Sequence, residues 1–243
     1  KREVVRDRLI CISDPQMRHG RKSASRTING YKQHIAVELN SHLIIGGSVR
    51  PANEPEYQAT DELRPQIEVW GEVDELQFDR GYLASSWVGE MYASDKRVVS
   101  KPWSQSNVGK FSKKDFDINL KEQKVTCPAG FTARIKGRKQ KQAKFDAAWC
   151  GSCHLRSQCT DARERKILTL HAQEEMMIDL RQYTDTPAGR KTARERVKVE
   201  HALAGICNRK GPVARYRGVR SNTYDLNRVA AISNLHVAMS HAA

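Results

Sequence analysis

Long hydrophobic runs are missing from this 243-residue chain. No apolar stretch approaches the ~20 residues that a membrane-spanning helix needs. No stretch of it reads as a secretory leader either. Acidic residues are the minority: 28 Asp and Glu stand against 42 Lys and Arg, a formal charge of +14. Such an excess, clustered rather than spread, points to an anionic partner, most often nucleic acid. Aromatics make up only 7 %, which counts against a zinc-stabilised RNA-binding protein that works by stacking single-stranded bases. Internal repeats and low-complexity tails are absent. The chain opens at Lys1 rather than Met, which reads as a fragment or a processed piece.

What is there suffices for one large domain or two small ones. Arg8–Ser13 reads as a short strand ending at Asp14-Pro15. A polar loop follows, Met17–Gly30. Tyr31–Leu39 and His42–Val49 then read as a hairpin around the Asn40-Ser41 turn. The next stretch reads as a helix broken near Pro65. Glu72–Phe78 is a strand ending at Asp79, Ser85–Asp95 a helix, and Lys96–Trp103 a further strand. A mixed α/β sheet flanked by helices fits that order. From about Trp103 to Thr186 the chain turns polar and basic and reads as an inserted subdomain. The predicted organisation is a core over residues 1–102, the insertion over 103–186, and C-terminal helices over 187–243 that complete the core. Within the last part, Gly189–Gly211 reads as one helix of about six turns that stops at Gly-Pro. A final helix spans about Asn222 to Ser240.

Six cysteines without an export signal suggest reduced thiols, and four are grouped: Cys127, Cys150, Cys153 and Cys159. Cys150-x-x-Cys153 places two thiolates on one turn, and the others can complete the four-sulfur shell that zinc prefers. His154 could replace one of them. The competing reading is four unrelated reduced cysteines.

Two carboxylates draw notice. Asp79, in Phe78-Asp79-Arg80-Gly81-Tyr82, stands where a strand meets a glycine turn; it can cap the following helix, pair with Arg80, or hold a metal. Glu200 follows Arg196 by four residues, so the two share a helix face; a plain surface ion pair has the same spacing. Their surroundings are basic: Arg190, Lys191, Arg194, Arg196, Lys198, Arg209, Lys210, Arg215, Arg217 and Arg220 against Glu195 and Glu200. Tyr216 among these arginines suits phosphate and base contacts. A second basic run, Arg134–Lys144, reads either as a further contact or as a solvated loop.

The ordered series SDPQMRHGRKS, NGYKQHIAVEL, VRPANEP, FDRGY, CPAG, CGSCHLRSQC, RERVKVEHALAG, ARYRG and NRVAAISNL resembles the DDE transposases of bacterial insertion sequences, in particular the branch with a cysteine-rich insertion. The resemblance implies a ribonuclease-H-like core whose three acids bind two Mg²⁺ (or Mn²⁺) ions that cut DNA and join strands. It makes Asp79 the second acid, Glu200 the third, and Arg196 the arginine that precedes that glutamate. Relatives that carry a tyrosine three residues before this arginine and a lysine seven after the glutamate differ here, where Ala193 and Cys207 stand; Lys210 is the nearest stand-in. The first acid is either Asp14 or an aspartate on a strand upstream of Lys1. The implied partners are double-stranded DNA, both transposon ends and target, and a second copy of the chain on that DNA. The implied setting is the bacterial cytoplasm at the nucleoid. The alternative is a truncated or domesticated DNA-binding derivative that does not cut.

Overall fold

A computed structural model describes residues 7–21, 26–103, 109–138 and 140–242. Residues 22–25 of the polar loop and Lys139 of the second basic run lie outside them. The chain forms two compact units, one of residues 1–101 with 183–243, the other of Pro102–Gln182. Among the described residues the architecture is mixed α/β, with helices and three separate sheets.

The first unit opens with three antiparallel strands, β1 (Arg18–Arg21), β2 (Thr27–Val37) and β3 (Ile44–Pro51), in that spatial order. The hairpin forms as read, with Tyr31 opposite Pro51 and Ile35 opposite Gly47. The strand read over Arg8–Ser13 does not form; a single bridge from Leu9 to Arg18 replaces it. Its apolar side chains have nothing to cover them, and Leu9 and Ile12 stay exposed.

β3 is mostly buried from Ile44 to Val49, which suits its opening run of isoleucines and glycines. Its outer backbone edge is closed by side-chain amides. Gln66 bonds both the N–H and the carbonyl of Gly47, and Asn234 does the same for Ile44. An edge strand so capped offers no free ladder to a foreign strand.

Helix α1 (Thr60–Glu68) runs through Pro65 rather than breaking there. One lost backbone bond is tolerated because Leu63 is buried and Gln66 is tied to β3. Strands β4 (Glu75–Gln77) and β5 (Arg97–Val99) pair in parallel, Leu76 opposite Val98. Their crossover is a 3-10 turn, Arg80–Tyr82, followed by α2 (Ser86–Ala93).

The second unit is a five-stranded antiparallel sheet of β6 (Asp117–Asn119), β7 (Lys124–Thr126), β8 (Thr132–Lys136), β9 (Gln142–Lys144) and β10 (Ile167–Thr169), in the spatial order β10-β9-β8-β7-β6. Val125, Ala133, Ile135, Ala143, Phe145 and Leu168 form its core. The short helices α3 (Ala147–Ser152) and α4 (Arg156–Cys159) precede β10, and α5 (Glu174–Asp185) follows it. At the start of α5, buried Glu174 accepts from Lys113 at 2.7 Å and Arg181 at 3.3 Å, so its charge is paired twice.

The chain then returns to the first unit as α6 (Pro187–Glu195), α7 (Val197–Lys210) and α8 (Val219–Ala242). The single helix read over Gly189–Gly211 is therefore two, interrupted at Arg196. Ile206 of α7 and Leu226, Val229 and Ala230 of α8 pack with Ile44 and Val49 of β3. Gly47 permits this approach: a Cβ there would meet Asn227 at 2.5 Å.

β2 also carries His34, buried at 5 % exposure, whose Nδ1 lies 2.5 Å from the Tyr82 hydroxyl. Burial, then the charges of Lys32 and Arg50, pushes His34 down to about 4. Between an unfolded value near ~6.5 and that folded value, the unfolded chain binds a proton that the folded chain does not. Stability therefore falls as pH drops through this window, by about 3 kcal/mol in total from this group. His34→Asn, which keeps an acceptor for Tyr82, should flatten the acid limb of a urea-denaturation series between these pH values. Parallel limbs for the two proteins would refute the assignment.

Candidate active site

Asp79 stands at the end of β4. Phe78 before it and Leu83 after it are both buried, so its position is held from two sides. Its backbone is extended, and Oδ1 accepts the Arg80 N–H at 2.8 Å. Asp79 thus caps the short 3-10 turn and not α2, which starts after Ser85. The Glu56 side chain lies over the turn, where a Cβ added to Gly81 would push its carboxylate aside. Tyr82 closes the turn by reaching His34 on β2. Burial first, then the charges of Glu56 and Asp79, push the Tyr82 phenol up, so it stays a proton donor. These supports were missed in sequence, since partners 26 and 48 residues away leave no local signal. The Asp79 carboxylate itself remains well exposed, at 61 %.

Glu200 sits in the first turn of α7, where the positive end of the helix favours an acid. Three ties fix α6 and α7 beside β4, β5 and the end of β2. Gln77 Nε2 donates to Glu195 at 3.3 Å. Arg97 donates to the Tyr183 hydroxyl, which in turn lies 2.9 Å from Thr192 Oγ1. Lys198 Nζ donates to the Leu39 carbonyl at 3.0 Å.

Arg196, at the break between the helices, faces both acids. Its Nη1 lies 3.2 Å from Asp79 Oδ1 and its Nη2 lies 3.5 Å from Glu200 Oε1. Two carboxylates 121 positions apart therefore meet across one guanidinium fork. Both are largely exposed, so each ion pair adds at most about 1 kcal/mol to stability.

Asp14 is engaged elsewhere. It is buried, and both of its oxygens lie 2.7 Å from the Tyr31 hydroxyl. The amides of Gln16 and Gly218 donate to it at 3.3 Å. Burial raises the carboxyl's pKa, but bonds from Tyr31, Gly218, Gln16 and Met17 outweigh that and hold it below the ordinary carboxylate range. Beside it, Gln16 accepts the Val219 N–H at 2.7 Å, so this loop ties down the start of α8. No hydrogen bond or ion pair joins Asp14 to Asp79 or Glu200 among the described residues. Asp14→Ala should cost about 2–4 kcal/mol, because Tyr31 and two amides lose a charged acceptor. Urea denaturation measures this. Unchanged stability together with lost DNA cleavage would instead mark Asp14 as a reacting-site acid.

The basic residues divide. Arg190, Lys191, Arg194, Arg209, Arg215, Arg217 and Arg220 lie at the surface or half-buried. Lys210 is buried, and Lys198 is spent on Leu39, so neither offers the free ammonium that the sequence suggests.

All four grouped cysteines line one pocket of about 30 Å³ with Phe131, Phe145, Trp149, Arg156 and Lys166. His154 does not line it. Cys127 heads a tight turn, its carbonyl accepting the Gly130 N–H at 2.8 Å. Burial pushes the Cys159 thiol up, and the other three cysteines add to that against Lys166. Among the described residues no group of three or more His, Cys, Asp or Glu stands in a metal-ligating arrangement. The thiols converge without closing on a common point, and among the described residues no third acid completes a metal-ligating group with the two exposed ones.

A family model described as a transposase DDE domain matches residues 123–239. That span holds the four cysteines, Arg196 and Glu200, but not Asp14 or Asp79. No curated protein and no solved structure gives a significant match. Over the matched residues, just under half of its length, the chain resembles the transposase DDE domain, and on that ground it is consistent with a DDE transposase.

Proposed function

We propose that this chain is the catalytic portion of a DDE transposase that cuts and joins DNA strands during movement of an insertion sequence. The observation that carries the reading is the meeting of Asp79 and Glu200 at Arg196. In this reading the first unit is a ribonuclease-H-like core and the second is the cysteine-rich insertion, with double-stranded DNA and a second copy of the chain as partners.

Exposed carboxylates are hard oxygen donors, and one or two of them suit a Mg²⁺ or Mn²⁺ that keeps much of its water. Asp79 and Glu200 would hold such an ion. The bound ions, two in this family, would stabilise charge on the attacking and leaving oxygens of the phosphodiester. Asp79 contributes a rigid anchor, because its turn is fixed at Gly81 and Tyr82. Glu200 contributes the second oxygen donor, and Arg196 faces the same anionic ground, where it can meet a DNA phosphate.

A two-ion site needs more acid than this pair. Asp14 meets that need poorly, since its lone pairs are already taken. An acid on a further strand is the better candidate. Over Tyr31–Val37, β2 pairs only with β3, and β4 pairs only with β5, so neither has a second partner strand there among the described residues.

The cysteine pocket fits zinc by donor chemistry: four soft thiols, no carboxylate, and two nearby cations to balance a doubly negative centre. Binding would require the thiols to draw inward.

The test is nicking of DNA that carries the element's ends, with Mg²⁺ or Mn²⁺ as the only divalent ion. Metal-dependent nicking supports the reading. Salt-sensitive DNA binding with no cleavage under either metal would replace it with a DNA-holding derivative.

A further inference from the structure

The second basic run, Arg134–Lys144, is not a loop. It is the β8–β9 hairpin, turned at Gly137, where φ is +116° and an added Cβ would clash with the Gln140 carbonyl, so a side chain is excluded. Along β8 the residues alternate strictly: Ala133 and Ile135 are buried, and Thr132, Arg134 and Lys136 are exposed. On β9 Ala143 is buried and Lys144 exposed. The run therefore splits into an apolar face that builds the core and a basic face in water.

The register aligns the cations across the sheet. Lys124 of β7 is directly opposite Arg134 of β8. Ile135 opposes Ala143, and the same register carried one step places Lys144 opposite Arg134. Lys124, Arg134 and Lys144 thus form one transverse row over three strands, and Lys136 stands beside it two residues along β8. Lys124 has Glu122 as a partner. Arg134, Lys136 and Lys144 make no ion pair among the described residues. Like charges placed directly opposite destabilise a sheet, so a surface serving the fold alone gains nothing from this row. Its neighbours are exposed Thr132, Thr169 and Ile167 and half-buried Thr126 and Gln142, and among the described residues Asp117 is the one acid on this face of the strands. Residues Pro102–Gln182 carry sixteen Lys and Arg against nine Asp and Glu.

We propose that this sheet face is a docking surface for the phosphate backbone of DNA, contacted through Arg134, Lys136 and Lys144 without reading base sequence. Charge complementarity selects the occupant. Neighbouring strands ~4.8 Å apart, and residues two apart along a strand ~7 Å apart, put the three cations within the span of about two nucleotides at ~3.4 Å each. Phosphates would also relieve the repulsion that the free sheet carries. The threonine and glutamine side chains add neutral donors that phosphate oxygens accept from. This rests on the reading of DNA as the partner and adds a contact surface in the second unit to the arginines of α6–α8.

The experiment titrates a fluorescent duplex of arbitrary sequence with the full chain, between about 50 and 200 mM salt. The variant carries Arg134→Gln, Lys136→Gln and Lys144→Gln together. Its log-affinity against log-salt slope should be shallower by about 2 to 3, with affinity lower by tenfold or more in the middle of the range. A control with Lys114→Gln, Lys121→Gln and Arg163→Gln, equal in charge but outside the strands of this sheet, should keep the wild-type slope. The sheet variant should melt no lower than wild type, because it sheds like-charge pairs. If it does melt lower, Arg134→Gln alone carries the test with a slope loss of about 1. A sheet variant that binds with the wild-type slope overturns this surface and leaves the DNA reading standing. A wild-type chain that does not bind the duplex at all overturns both.

Discussion

Asp79→Ala and Glu200→Ala should each reduce metal-dependent DNA cleavage by about a thousandfold or more while leaving the protein folded. The activity loss follows from removing a metal-holding carboxylate, since the charge stabilisation such an ion supplies is several kcal/mol and each ~1.4 kcal/mol is tenfold in rate. The mild effect on folding follows from exposure. Asp79 loses one cap bond to Arg80 and one ion pair to Arg196, worth about 1 kcal/mol together. Glu200 loses an exposed pair and a favourable place at a helix start, again about 1 kcal/mol. DNA binding should persist in both variants, because each removes a negative charge. A split between lost cleavage and kept binding separates reacting-site acids from structural ones. Undiminished cleavage by either variant would dismiss its metal role.

Removal of zinc should loosen the second unit and spare the first. The purified chain is expected to carry about one zinc. A chelator should then raise amide hydrogen exchange over residues 120–165, with little change in β2, β3 and α8. Cys150→Ser should have the same effect. Cys127, Cys150 and Cys159 pack against the edge of a modest apolar core, where Trp149 is half exposed and stacked on Phe131. Structural zinc can contribute on the order of 10 kcal/mol of binding free energy, as much as the whole stability of a small domain. Protein free of zinc by elemental analysis, or exchange unmoved by chelation, would leave these as ordinary buried thiols.

Much of this could be read in the chain because the signals are local. The hairpin around Asn40-Ser41, the strand before Asp79 and the helical spacing of Arg196 and Glu200 are all set by neighbours a few residues away. What stayed hidden depends on distant partners. Nothing near Asp14 announces that Tyr31 and Gly218 will claim its oxygens. Leu9, Ile10 and Ile12 look like a strand, yet a strand needs a neighbour. The break at Arg196 falls within an unbroken helical pattern, at the residue that faces a strand end more than a hundred positions away. In Arg134–Lys144 the high charge masked a two-residue alternation carried only by Ala133, Ile135 and Ala143. The support of Asp79 by Tyr82, His34 and Glu56 joins three separate segments.

The central claim is that Asp79 and Glu200 belong to one divalent-metal site. The most direct measurement is anomalous scattering from crystals of the chain soaked in Mn²⁺. The expected result is a peak at coordination distance, about 2.1 Å, from a carboxylate oxygen of both residues, with Arg196 displaced from between them. A peak bound to only one of the two acids, or none near either with Arg196 still bridging them, would contradict it.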